Sequence, residues 1–166
     1  MKAIYRYRNR SVDKPPPTDL TRTRRNAWAL ALAGFIPFAV LSAGLWVLEP
    51  QSEDHALSQA ALKTYGAVIL SFLGGIRWGL ALRSASEAST RVTLALSVLP
   101  SLVGWSSLYL DSPYVYAVQA MAFAGMGAWD ALAGERGAFS LWFVRLRTVL
   151  TFIVTAALIA AFFATL

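Results

Sequence analysis

Two ionisable residues sit inside apolar runs, where charge is costly: Arg77 within residues 65–83 and Asp130 within residues 114–133. A charge at the centre of a bilayer costs at least about 2.5–3.5 kcal/mol on the insertion scale, and less toward a helix end. Arg77 precedes Arg83 by six residues, and Asp130 precedes Arg136 by six. If both segments are helices running in the same direction, the two charges lie at one depth, about 9 Å from the same end. Each also has an indole beside it, Trp78 and Trp129. Three chemistries fit. One is an ion pair that fixes the register of two helices. Another is a polar pocket in which Arg77 holds an anionic headgroup or ligand and Asp130 accepts a proton or cation. The third is simple snorkelling of the arginine to the interface. Arg145 or Arg147 is an alternative partner for Asp130, which would leave Arg77 for a lipid phosphate.

Other chemistry is thinly supplied. The chain has no cysteine and a single histidine, His55, beside Glu53 and Asp54. A transition-metal or haem site gathers several nitrogen or sulfur ligands, and three adjacent polar residues in a connection are usually solvated, so no metal and no cofactor is expected. No pair of acids and no histidine lies within a span, and no nucleotide-binding glycine motif is present. Gly74-Gly75 followed by Gly79 in an apolar helix is a packing signal rather than a phosphate loop. An enzyme ranks last among the readings.

The elements that carry these residues follow from composition. Hydrophobic residues make up 57% of the chain and charged residues 14%, a balance that points to the bilayer as solvent. The expected fold is an all-α integral membrane protein, a five-transmembrane-helix bundle, with a basic tail over residues 1–26 and a membrane domain over 27–166. The spans are read at 27–48, 65–82, 92–110, 114–133 and 148–166. Pro37 and Pro100 interrupt the first and third spans and predict kinks, with Ser97 and Ser101 close enough to occupy backbone groups freed at Pro100. Residues 49–62 read as an acidic outside connection. Residues 139–147 read as an interfacial run, with Trp142, Arg145 and Arg147 at headgroup level.

Lysine and arginine set the orientation. Of the fifteen, eight lie in the tail, two in the second connection and three in the fourth. All thirteen face the cytoplasm if the N-terminus is inside, and five spans then put the C-terminus in the periplasm. The net charge of +6 is thus a matter of membrane topology, and nucleic acid is not an expected partner.

Small residues predict how the helices meet. Ala67, Ser71, Gly75 and Gly79 recur every four residues and form a seam for a close neighbour. Ala120, Ala124 and Ala128 belong to a matching face on the fourth span, so the second and fourth spans are expected to be the closest pair.

Four stretches carry a family likeness: Ile36-Pro37-Phe38; Tyr65-Gly66-Ala67 through Phe72-Leu73-Gly74-Gly75 to Trp78-Gly79; Leu99-Pro100-Ser101-Leu102 with Trp105; and Trp142-Phe143 with Leu146-Arg147. On these the chain resembles a family of small bacterial inner-membrane proteins of unknown function, shared with a mitochondrial transmembrane protein of animals. The resemblance implies a bacterial inner membrane, or the mitochondrial one, and no activity. From the residues alone, a non-catalytic interaction or accessory subunit ranks first. It would pack in or against a membrane complex, or against itself, through small-residue faces, with lipid around it. Binding or transport of a small hydrophobic or anionic ligand, such as a lipid or quinone, near Arg77 and Asp130 ranks second.

Overall fold

The structure, a computed structural model, describes residues 20–82, 87–135 and 140–166. The tail before residue 20 with its three prolines, and Arg83, Arg136, Gly137 and Phe139, lie outside the described residues. Five helices follow one another: α1 Leu20–Val47, α2 Glu53–Ala81, α3 Glu87–Ser107, α4 Tyr114–Glu135 and α5 Leu141–Ala164. No strand occurs among the described residues. Three stretches, Thr21–Val47, Glu53–Ala81 and Leu141–Ala164, are long and apolar enough to cross a membrane. The 22 residues of α4 supply about 33 Å of length, but Gln119, Asp130 and its many small residues dilute its apolarity.

Several boundaries differ from the sequence reading. The stretch 49–62 is mostly helix, because Ser52 caps α2: its hydroxyl accepts from the His55 amide at 3.2 Å. Glu53 and Asp54 occupy the first turn, where negative charge suits the helix dipole. His55 is consequently a buried helical residue, 4% exposed, and not a solvated loop residue. The interfacial run does not stand apart from the fifth span, since α5 is continuous from Leu141. The third span ends at Ser107, followed by turns through Leu110. At the other end of the chain, the last residues of the expected tail, including Arg22, Arg24 and Arg25, already belong to α1.

The helices form a closed ring in the order α1, α2, α3, α4, α5, with α2 and α4 also meeting across its middle. The largest interfaces are α2 with α3 and α4 with α5, and the α2–α4 interface is the smallest. This corrects the expected closest pair. The reason lies in which glycines are used. At Gly74 an added Cβ would run into the Ser97 carbonyl oxygen of α3, and at Gly104 one would lie 3.0 Å from the Ala67 carbonyl oxygen. At Gly127 it would meet Thr151 of α5. Ala67 and Ala120 are buried, but Ser71, Gly75, Gly79, Ala124 and Ala128 face outward. An added Cβ at Gly75 or Gly79 meets nothing within 4 Å. Helical neighbours point about 100° apart, so the seam through Gly74 is a different face from the seam through Gly75.

The core is built from α1, α2, α4 and α5 around Phe38, Leu70, Tyr116, Phe123 and Leu158. Phe38 packs edge-on against Tyr65 and Phe123, with ring centroids 5.0 and 5.6 Å away. Outside it, large apolar side chains such as Phe152 and Phe72 are exposed, as expected where lipid is the surroundings. Both prolines lie within continuous helices. Near Pro37, the Tyr65 hydroxyl donates to the Gly34 carbonyl at 2.8 Å. Near Pro100, the Ser97 hydroxyl donates to Leu94, and not to Leu96, whose carbonyl the proline leaves without an amide.

Candidate functional site

The ring brings the two charges read from the sequence together and adds a third. Arg77 of α2 places Nη2 2.7 Å from Oδ1 of Asp130 on α4. Arg147 of α5 donates from Nε to Oδ2 of the same carboxylate at 2.6 Å. All three are buried, with 5%, 5% and 8% of their surface exposed. Asp130 is therefore the shared anion of two cations on two different helices: the Arg77 and Arg147 pairings both occur, and Arg77 is not left over as the second alternative had it. Each oxygen takes one arginine, so the carboxylate ties α2, α4 and α5 together.

The tryptophans divide. The Arg77 guanidinium lies over the Trp129 ring, 4.5 Å from its centroid, a cation–π contact of about 0.5–2 kcal/mol. Trp78 is 45% exposed and turns away from the cluster. Asp130 recruits Arg147 because Gly127 and Gly134 let α5 approach α4 closely, over Thr151 and Val144.

Beside the cluster lies a cavity of about 170 Å³ between α1, α2 and α5, closed from the α4 side by Phe123. Its wall is apolar apart from Arg147, its one charged residue, and Thr151. A second polar group, which the sequence reading missed, joins α2, α3 and α4 at the opposite end. Gln119 is fully buried and its amide donates to the Lys63 carbonyl at 2.8 Å and to the Ser107 hydroxyl at 3.1 Å. Gln59 accepts from Ser112 at 2.9 Å and approaches His55 Nδ1 at 3.3 Å. The signal was present, since Gln119 is an amide inside an apolar span, which needs a partner in lipid.

Among the described residues no three His, Cys, Asp or Glu side chains come close enough to hold a metal ion. What the cluster can do is electrostatic: hold three helices in register and offer a guanidinium to an anion.

The model of the DUF3429 family, described as a protein of unknown function, matches residues 23–163. The chain belongs to this family. It is also similar to Transmembrane protein 69 of Xenopus tropicalis, 34% identical over 134 residues, covering 80% of this chain and 51% of the relative. With Transmembrane protein 69 of Mus musculus the identity is 32% over 142 residues, covering 82% and 55%. The chain thus spans about half the length of the curated relatives it matches. No solved structure matches it. A helical membrane protein of a family shared with animals is the coarse description on which fold and relatives agree.

Proposed function

We propose that the protein is a non-catalytic, membrane-embedded binding protein for a small hydrophobic or anionic molecule, held beside the Arg77, Asp130 and Arg147 cluster. The observation that carries this is the cavity between α1, α2 and α5, whose otherwise apolar wall includes the buried Arg147. It reverses the order in which the sequence ranked the two functions. In this reading all five helices cross a bacterial inner membrane, or the mitochondrial one, with the N-terminus cytoplasmic and the C-terminus periplasmic. The cluster then lies toward the cytoplasmic face, where the positively charged connections gather. Purification in lipid nanodiscs followed by native mass spectrometry tests it. A small molecule retained in stoichiometric amount is the expected result, and a protein repeatedly free of any is the refuting one.

A second reading, an accessory subunit that docks on another transmembrane helix or a second copy, is favoured by the uncovered seam of Ser71, Gly75 and Gly79. In the same experiment it predicts a stoichiometric protein partner or a dimer, lost when Gly75 and Gly79 are both changed to Leu.

A further inference from the structure

The cavity has a polarity along its length. Arg147 lies at one end, while Phe38 and Val154 line the other. Seven residues of α5 separate Arg147 from Val154, which amounts to about 10 Å along the helix. Arg147 engages Asp130 through Nε, and its two terminal nitrogens make no hydrogen bond among the described residues. Asp130 is shared with Arg77, so Arg147 has only part of a counter-charge. A guanidinium end presents two parallel N–H donors, a fork that matches a carboxylate. The volume, about 170 Å³, is close to that of the roughly 150 Å³ apolar cavity that holds one benzene. It has room for one hydrocarbon segment and not for two acyl chains side by side.

We propose, resting on the ligand-binding reading above, that this cavity takes a single-chain amphiphile with a carboxylate head. The acid sits on the terminal nitrogens of Arg147, and the chain runs past Ile69 and Phe35 toward Phe38. A two-chain phospholipid would leave its second chain outside this space. A neutral chain of the same length lacks the charge that Arg147 is placed to meet.

The full chain in nanodiscs of zwitterionic lipid is photolabelled with a diazirine-bearing octanoic acid, whose length matches the cavity, and separately with the matching octanol, and the adducts are mapped by peptide mass spectrometry. The acid is expected to label the cavity wall, to be displaced by unlabelled octanoic acid, and to exceed the alcohol there by about tenfold or more, as a lost charged hydrogen bond dictates. Arg147→Gln should remove that excess. Ala31→Phe, at a cavity-lining position on α1, should block the acid by filling the space. Should Arg147→Gln fail to fold, the acid-to-alcohol comparison in the parent chain decides. Equal labelling by both probes, blocked by Ala31→Phe, overturns the carboxylate assignment while the cavity remains a ligand site. Labelling spread evenly over the lipid-facing surface, unchanged by Ala31→Phe, overturns both the assignment and the ligand-binding reading. Preferential capture of a lysophosphatidic acid probe over the fatty acid overturns the choice of head group alone.

Discussion

Replacing Asp130 distinguishes a pair from a three-membered cluster. In a simple Arg77–Asp130 pair, changing Arg77 to Met and Asp130 to Leu together would remove both charges and restore most of what either single change loses. The structure says otherwise, because Arg147 is bound to the same carboxylate through its other oxygen at 2.6 Å. Asp130→Leu leaves two buried guanidinium groups without their shared anion. Breaking a buried ion pair costs about 3–5 kcal/mol, in line with about 4 kcal/mol for unit charges 4 Å apart at an effective dielectric of 20. In the double variant Arg147 remains buried and uncompensated, so a loss of about 3 kcal/mol or more should persist. Adding Arg147→Met removes the last charge, and replacement of a whole buried cluster by apolar residues is often neutral or better. The triple variant is expected within about 1 kcal/mol of the parent on that basis. Reversible unfolding in bicelles, followed by tryptophan fluorescence, reads all three. Recovery in the double variant to the level expected for the triple would refute the shared-anion account and reduce Arg147 to a bystander.

The glycine faces give a second test. Gly74→Leu drives a side chain into the α3 backbone and should cost about 1–3 kcal/mol, whereas Gly75→Leu, with open space before it, should stay within about 0.5 kcal/mol; equal losses in the same unfolding assay would contradict the helix register. Gln119→Leu keeps the volume and removes two interhelical hydrogen bonds, for an expected loss of about 1–2 kcal/mol, and a neutral result would show that this amide does not hold α2, α3 and α4 together. Tyr65→Phe keeps the ring against Phe38 and loses the bond to the Gly34 carbonyl, which should cost about 1 kcal/mol and faster amide exchange around Gly34, measurable by hydrogen–deuterium exchange.

Much of this architecture follows from local composition. Long apolar stretches must be helical in a solvent that cannot satisfy the backbone, so the five helices were legible from the sequence, although α1 and α5 each start seven residues before the expected span and α2 starts twelve before it. Arg77 and Asp130 stood out because an ionised group in an apolar run is rare, and their shared depth followed from counting residues to the next arginine. Ser52 and the acids after it escaped notice as a helix start because cap geometry is settled by one local hydrogen bond and not by hydropathy.

What the sequence by itself determined was which segments are helical and that Arg77 and Asp130 lie at one level along their helices. Both depend on residue type and on the 1.5 Å rise. Only the tertiary structure decided the order of helices in the ring, the use of Gly74 rather than Gly75 for close approach, the capture of Arg147 by Asp130, and the cavity that Arg147 borders. A four-residue repeat fits adjacent faces of a helix equally well, and a carboxylate has two oxygens. Which face is covered, and which cation reaches the second oxygen, depends on the packing of helices far apart in the chain.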